Sequence, residues 1–304
     1  KLGDHPGEFN LMGYRSRGVG AVIAPWNFPL AIITGMASAA LVAGNGVLLK
    51  PAEQSPGSGF ALYQILIQAG VPRELLHFLP GIGHEIGPLM VDHPEIDFIA
   101  FTGSREVGLD IIKRAAIVHP GQRNVKQVIA EMGGKNAVII DDDADLDEAV
   151  LGVRHSAFGF QGQKCSACSR VIVVGSAYDA FVERFVESTK SLTVGVPTAP
   201  GNQVNAVIDK TAYDRINETI SRTATEVELA IRREVPDEGY FVGPSVFIDA
   251  NPDHAICQEE IFGPVVAIVR ADSFEEALSM ANGTQYALTG GVFSRSPGNI
   301  DRAR

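Results

Sequence analysis

The sequence of 304 residues is poor in several features that mark particular classes of protein. Three cysteines are too few for a disulfide framework and suit a reducing compartment, so we expect a cytoplasmic protein. Basic residues number 25 against 36 acidic ones, and the net charge of −11 argues against nucleic acids and anionic membranes as partners. No apolar run suits a membrane span, because the nearest one, residues 28–44, is interrupted by Pro, Gly, Ser and Thr.

The two ends of the sequence favour a fragment. The chain shows no signal peptide and begins without Met, at KLGDHPGEFN, and it ends at NIDRAR in what reads as the start of a helix. We therefore expect a piece of a longer protein. The length and the 45% hydrophobic content are ordinary for two globular domains.

Strands alternate with helices along the first 116 residues, which predicts an α/β fold with a parallel, doubly wound sheet. Such a sheet binds ligands at the carboxyl ends of its strands. The composition changes near Gly133, so we place a dinucleotide-binding domain at 1–132 and a second α/β domain at 133–304. In the second half we predict strands at 168–175, 239–249, 261–269 and 288–293, helices at 177–191 and 209–232, and a loop at 196–206.

Cys165 is the candidate nucleophile, because it lies in a Gly/Gln-rich turn (GFQGQKC) before an apolar strand. A turn before a strand exposes backbone N–H groups and lets a substrate carbon approach the sulfur, which reacts as the thiolate. One alternative is that Cys165 is a small buried hydrophobic residue. Another is a C-x-x-C redox pair with Cys168. A metal site is not expected, because Cys257 is the one further cysteine and no His pair has zinc spacing.

The G-x-G-x-x-G fingerprint is missing, and weaker signals stand in its place. Gly103 and Ser104 follow a strand and open a helix, where N–H groups favour a phosphate, although Ser is equally typical of an ordinary helix start. Lys50 and Glu53 follow another strand, and a carboxylate there can accept from a ribose hydroxyl, which favours NAD over NADP. The alternative for these two residues is a solvated turn.

Three further polar positions complete a hypothetical reaction. Asn27, in the turn PWNFP, can donate to a developing oxyanion, or simply bond to its own turn. Glu131 precedes two glycines that leave room for a ligand or a water, so it is a candidate general base; the alternative is a salt bridge at a loop end. Glu260 and Phe262, in EEIFGP, can grip a ribose and a flat ring.

Six ordered motifs carry a resemblance that runs along nearly the whole chain. PWNFP, LLKPAE, FTGS, EMGGK, GQKC and EEIFGP together resemble the NAD(P)-dependent aldehyde dehydrogenase superfamily. The segments GFQGQKCSACSR and GYFVGP are similar to L-glutamate γ-semialdehyde (1-pyrroline-5-carboxylate) dehydrogenases. This resemblance implies a Rossmann-like doubly wound NAD-binding domain at 1–132 that lacks its N-terminal part. It also implies an α/β catalytic domain at 133–304 that lacks its C-terminal part. Residues 196–232 match the family pattern poorly.

The resemblance also implies roles residue by residue. It makes Cys165 the nucleophile, Glu131 the base for the deacylating water, and Asn27 an oxyanion donor. Phe28 and Ser166 match positions that line the aldehyde pocket. NAD contacts are implied for Pro25, Trp26, Lys50, Glu53, Gly83, Gly87, Phe101, Gly103, Ser104, Glu260 and Phe262. No metal is implied.

The function implied is NAD-dependent oxidation of L-glutamate γ-semialdehyde to L-glutamate, through a thiohemiacetal and a thioester on Cys165. The implied partners are a small aldehyde, other copies in a homo-oligomer, and a fused proline dehydrogenase domain; the implied compartment in a eukaryote is the mitochondrial matrix. Alternatives are a succinate semialdehyde dehydrogenase and a CoA-acylating enzyme, although Glu131 favours water. From other classes, a non-catalytic binding module and a thiol-disulfide protein using Cys165 and Cys168 stay open.

Overall fold

The computed structural model describes residues 3 and 5–304. The chain divides into two compact units, Lys1–Met132 and Gly133–Arg304. Each unit is built on its own sheet and has its own buried cores on the two faces of that sheet. The functions assigned above to the two halves stay predictions at this point.

The first unit contains, within the described residues, a five-stranded sheet of order β3-β2-β1-β4-β5. Every pair in it is parallel, and the central strand β1 aligns Val22 with Leu49 of β2 and Ala100 of β4. This order is that of the first five strands of a doubly wound dinucleotide-binding sheet, with the reversal between β1 and β4. The predicted fold class is confirmed. The strands are β1 Val19–Ile23, β2 Gly46–Lys50, β3 Leu76–Phe78, β4 Phe98–Thr102 and β5 Gln127–Glu131.

Helices cover both faces of this sheet, as an all-parallel sheet requires. Successive residues of β1 alternate between two cores: Val22 packs in one with Ile33 of α1, and Ala21 packs in the other with Met90 of α3. Both strand residues are completely buried, which is why β1 reads as an unbroken apolar run. The helices are α1 Ala31–Val42, α2 Pro56–Gln68, α3 Gly83–Asp92 and α4 Arg105–Ala115.

The second unit contains, over the described residues, a six-stranded sheet of order β11-β6-β7-β10-β9-β8. All pairs are parallel except the edge pair of β8 with β9. The register of β6 on β7 shifts between Asn136 and Ala137, because β7 has one extra residue there, Ser169. The strands are β6 Asn136–Ile140, β7 Cys168–Val174, β8 Glu228–Arg232, β9 Ser245–Ile248, β10 Val265–Ala271 and β11 Gly290–Phe293.

The second sheet is also covered on both faces. Phe158 and Phe181 bring α5 and α6 into one core, and Ile216 and Ala277 bring α7 and α9 into the other. None of the helices formed by the described residues is both long and apolar enough to cross a bilayer. The helices are α5 Leu146–Phe158, α6 Tyr178–Lys190, α7 Lys210–Thr223, α8 Ala255–Gln258, α9 Phe274–Asn282 and α10 Pro297–Ala303.

One predicted helix is wrong in its second half. Three predicted strands, those at 239–249, 261–269 and 288–293, begin later than expected, at Ser245, Val265 and Gly290. The helix predicted over 209–232 ends at Thr223, and residues 228–232 form the edge strand β8. β8 exists because it pairs with β9, a contact that local sequence does not show. β9 and β10 each begin directly after a proline, Pro244 and Pro264, which has no N–H for a ladder.

Candidate active site

The turn PWNFP lies at the carboxyl end of β1, beside the reversal in strand order. It is tied at both ends: Ala24 N–H donates to the Lys50 carbonyl at 3.1 Å, and the Phe28 carbonyl accepts from Ile32 N–H at 3.2 Å in α1. Asn27 is only 5% exposed within this turn, and Phe28 is partly buried. The structure therefore holds Asn27 in a fixed place at the sheet edge where doubly wound folds bind ligands.

Lys50, Glu53 and Gly83 lie together at the ends of β2 and β3. Lys50 Nζ is buried and lies 3.1 Å from the Pro51 carbonyl and 3.4 Å from Glu53 Oε2. A Cβ placed on Gly83, the first residue of α3, would lie 3.6 Å from both charged groups. Lys50 is thus not part of a solvated turn; its ammonium orients a half-exposed carboxylate beside a helix start. Gly87 lies one turn inside α3, and a Cβ on it would point into open space among the described residues.

The end of β4 brings Phe101, Gly103 and Ser104 together. A Cβ on Gly103 would lie 2.5 Å from the nearest ring atom of the buried Phe101, so only glycine fits against the ring. Ser104 is the N-cap of α4, and its Oγ accepts from Val107 N–H at 3.4 Å. Gly103 N–H donates to the Glu131 carbonyl at 3.1 Å, which fixes the backbone of Glu131 while its side chain stays exposed.

The chain reaches Cys165 through a turn of unusual backbone conformation. Phe160, Gln161 and Gly162 all have left-handed φ angles, 57°, 57° and 64°. For a residue with a side chain this conformation costs about 1–2 kcal/mol. A Cβ on Gly162 would collide with the Gly263 carbonyl, so glycine is required there. The turn is held from outside, because the buried Gln163 accepts from Ile208 N–H through Oε1 at 3.0 Å.

Cys165 is distinguished from the other two cysteines by its surroundings. It is partly exposed and its neighbour Ser166 is exposed, whereas Cys168 and Cys257 are buried. Burial raises the pKa of the Cys168 thiol to about 12, and burial raises the pKa of Cys257 as well. Cys168 is therefore a protonated core thiol at neutral pH, which argues against the C-x-x-C redox pair and leaves Cys165 as the reactive candidate.

Asn136 is a site residue that sequence reasoning missed. Its side chain is 5% exposed, and Nδ2 donates to the carbonyls of Cys165 at 2.7 Å and Ala167 at 2.9 Å. Its Oδ1 accepts from Thr289 N–H at 3.1 Å. The one signal in the sequence is a polar residue that opens the otherwise apolar strand NAVII, directly after the motif EMGGK.

The two glycines after Glu131 make room for protein groups within the second unit. The Glu260 carboxylate lies where a Cβ of Gly133 would stand, and its Oε1 accepts from Gly134 N–H at 3.0 Å. A Cβ on Gly134 would lie 2.7 Å from the Cys165 carbonyl oxygen. The space that we expected to receive a ligand or a water is therefore filled here by Glu260 and by the Cys165 backbone. Phe262, two residues after Glu260, has a left-handed φ of 53°.

Burial shifts the pKa of two charged groups near Gly133 and Gly134, namely Glu260 and Lys135. Burial raises the pKa of Glu260, against the lowering effects of the Gly134 N–H and of the positive charges on Lys135 and Arg215. Burial lowers the pKa of Lys135 to about 8, and its Nζ has no hydrogen-bond partner among the residues that the structure describes. Lys135 was also missed as a separate residue, although it closes the EMGGK motif.

A family model for the aldehyde dehydrogenase family matches residues 2–304. The chain belongs to the aldehyde dehydrogenase family, which confirms the resemblance drawn from the six motifs.

Within that family the chain is similar to proteins called 1-pyrroline-5-carboxylate dehydrogenase. The one from Geobacillus kaustophilus is 50% identical over 300 residues, which cover 98% of this chain and 58% of the relative. The one from Oceanobacillus iheyensis is 47% identical, over 100% of this chain and 59% of the relative. The chain thus spans about three fifths of the length of these curated relatives.

Solved structures show the same similarity. The 1-pyrroline-5-carboxylate dehydrogenase from Thermus with bound NAD superposes with a TM-score of 0.93 at 42% identity, over 97% of this chain and 59% of that one. Proline utilization A from Bdellovibrio bacteriovorus superposes with a TM-score of 0.94 at 56% identity, over 95% of this chain and 30% of that one.

Proposed function

We propose that this chain carries out the NAD-dependent oxidation of L-glutamate γ-semialdehyde, the ring-opened form of 1-pyrroline-5-carboxylate, to L-glutamate. The observation that carries the proposal is the presentation of Cys165: a partly exposed thiol on a strained turn whose backbone is held by buried amides. The identity of about half of all positions to proteins named for this reaction supports the substrate.

In this proposal Cys165 attacks the aldehyde carbon as a thiolate, and the carbonyl oxygen becomes an oxyanion in a thiohemiacetal. We propose that the Asn27 amide and the Cys165 N–H donate hydrogen bonds to that oxyanion. Loss of hydride from the same carbon gives a thioester. Glu131 then takes a proton from a water that attacks the thioester, which releases L-glutamate and restores the thiolate.

NAD is the proposed cofactor, and when bound it accepts the hydride. The residues at the carboxyl end of the first sheet fit its ribose and phosphates. The buried Lys50 ammonium orients the Glu53 carboxylate beside the start of α3, and Ser104 caps the start of α4. Glu260 and Phe262 are the proposed grip on the nicotinamide ribose. The remaining proposed NAD contacts are Pro25, Trp26, Lys50, Glu53, Gly83, Gly87, Phe101, Gly103 and Ser104.

Phe28 and Ser166 are proposed to line the aldehyde pocket. The exposed Ser166 hydroxyl would bind the α-carboxylate of the substrate, and the Phe28 ring would pack on its methylene groups. We further propose a homo-oligomer, located in the cytoplasm or in the mitochondrial matrix of a eukaryote. A fused proline dehydrogenase domain is supported by the similarity to the much longer proline utilization A chain. Light scattering on the purified protein measures the oligomer directly.

The test is NADH formation with 1-pyrroline-5-carboxylate and with succinate semialdehyde, side by side, for the wild type and Cys165→Ala. The expected result is a preference for the first substrate in kcat/KM and no turnover in the variant. Preference for succinate semialdehyde would overturn the substrate, and a requirement for CoA would overturn hydrolysis. Turnover by Cys165→Ala would overturn the nucleophile. Ser166→Ala should raise KM for 1-pyrroline-5-carboxylate and leave that for a simple aldehyde unchanged.

A further inference from the structure

The side chain of Asn136 closes the turn that carries Cys165, and every polar atom of its amide is used. Nδ2 bonds the carbonyls on both sides of Ser166, at 2.7 Å to Cys165 and 2.9 Å to Ala167, and Oδ1 accepts from Thr289 at 3.1 Å. Because the amide is buried, losing it would leave carbonyl oxygens without partners in a place that water does not readily reach.

These bonds fix two successive peptide planes at Cys165. The Cys165 carbonyl belongs to the peptide after Cys165, and Asn136 holds it. The Lys164 carbonyl belongs to the peptide before Cys165, and Ala167 N–H holds it at 3.1 Å across the turn. A trans peptide points its N–H opposite to its C=O, so a Lys164 carbonyl directed into the turn directs the Cys165 N–H outward.

One backbone feature makes room for this arrangement. A Cβ on Gly134 would lie 2.7 Å from both the Cys165 oxygen and Asn136 Oδ1, so glycine is needed where the two meet. The neighbouring strand is irregular at the same level, because β7 has one extra residue, Ser169, between the partners of Asn136 and Ala137. Gly134 therefore permits the contact between Asn136 and the Cys165 backbone.

We propose that Asn136 is a positioning residue for the nucleophile. It fixes the conformation of Cys165 so that the thiolate and the N–H of the same residue are directed together at one carbonyl group. The inference rests on the proposed function, in which Cys165 is the nucleophile and its N–H an oxyanion donor. Asn136 itself contacts neither the thiolate nor the oxyanion and acts through the backbone of Cys165.

The test uses Asn136→Ala and, as a matched control, Asn45→Ala. Asn45 is equally buried and equally bonded to backbone, with Nδ2 2.9 Å from the Ala40 carbonyl and Oδ1 accepting from Arg17 N–H at 2.7 Å. Both variants should lose thermal stability. In Asn136→Ala alone kcat should fall by about 10- to 100-fold with KM changed less than about threefold, because misplacement by an ångström affects the reaction more than binding.

A second measurement separates positioning from general damage. Alkylation of Cys165 by iodoacetamide needs an accessible thiolate but no oxyanion donor, so in Asn136→Ala its rate should fall far less than kcat. If Asn136→Ala does not fold, Asn136→Ser takes its place; its shorter hydroxyl cannot reach both carbonyls, and kcat should lie clearly below wild type.

The outcomes separate the inference from the proposed function. If Cys165→Ala is inactive and a folded Asn136 variant keeps the wild-type kcat, the positioning role of Asn136 is overturned while the proposed function stands. An equal fall in kcat for Asn136→Ala and Asn45→Ala would also overturn it, because a general loss of stability would then explain both. Active Cys165→Ala would overturn the nucleophile, and the inference with it.

Discussion

Lys135→Met should make the protein more stable at neutral pH and less active. Lys135 is fully buried, and burial lowers its pKa from the ordinary 10.5 to about 8. This shift corresponds to a cost of about 3 kcal/mol for keeping the ammonium charged in the folded state. Methionine has a similar shape without the charge, so the variant avoids that cost and should gain up to about 3 kcal/mol in free energy of unfolding at pH 7.

The pH dependence of the free energy of unfolding tests the sign of the predicted stabilisation a second time. Between pH 8 and 10.5 the unfolded chain keeps the Lys135 proton while the folded chain has lost it, so this group makes stability rise with pH in that range. The advantage of Lys135→Met should therefore be full below pH 8 and vanish near pH 10.5. Loss of the positive charge should also raise the pKa of Glu260 further, which weakens its proposed hold on a ribose.

The assay is urea unfolding of wild type and Lys135→Met at pH 7 and at pH 10. The exposed Lys190, paired with Glu187 at the surface, provides the control: Lys190→Met should change the free energy of unfolding by less than about 0.5 kcal/mol at either pH. A Lys135→Met variant that is less stable than wild type at pH 7 would refute the reasoning. So would a difference in stability that stays constant from pH 7 to pH 10.

Three further predictions follow from the same geometry. Gly134→Ala places a methyl group 2.7 Å from the Cys165 carbonyl oxygen and should lower the free energy of unfolding in urea by about 1–3 kcal/mol. The control Gly35→Ala lies in open space within a helix and should be neutral or stabilising. Equal effects of the two substitutions would be inconsistent with the close approach at Gly134. Iodoacetamide at pH 8 should label Cys165 at least about tenfold faster than the buried Cys168 by peptide mass spectrometry, and comparable labelling would revive a redox pair. Lys50→Met frees the carboxylate that Lys50 orients, so KM for NAD should rise about tenfold while kcat changes little; an unchanged KM would remove Lys50 from the proposed NAD site.

The parts of the fold that the sequence predicts are those set by local patterns. The apolar run of β1 followed by PWNFP gives a buried strand and a turn, and the alternation of strands with helices gives the parallel sheet. The edge strand β8 was predicted as helix because its pairing with β9 is its main reason to be extended. Local propensity has no access to such a partner.

The candidate site shows the same limit. Cys165, Glu131 and Asn27, whose roles are proposals, could be singled out because glycine or proline lies within three residues of each, in GQKC, EMGG and PWNFP. Asn136 is not recognisable, because its proposed role depends on hydrogen bonds to two carbonyls about 30 positions away in sequence. The glycines after Glu131 were expected to leave room for a ligand or a water, and the structure shows that Glu260 and the Cys165 backbone occupy that space.

The central claim is that Cys165 forms a thioester that a water activated by Glu131 hydrolyses. Glu131→Gln removes the base and should slow hydrolysis by about 10²- to 10⁴-fold while leaving thioester formation intact. The decisive measurement mixes this variant with 1-pyrroline-5-carboxylate and NAD and follows NADH and the mass of the Cys165 peptide together. The account predicts a burst of one NADH per active site and a γ-glutamyl group on Cys165. Steady turnover without a burst, or an acyl group on any other residue, would contradict it.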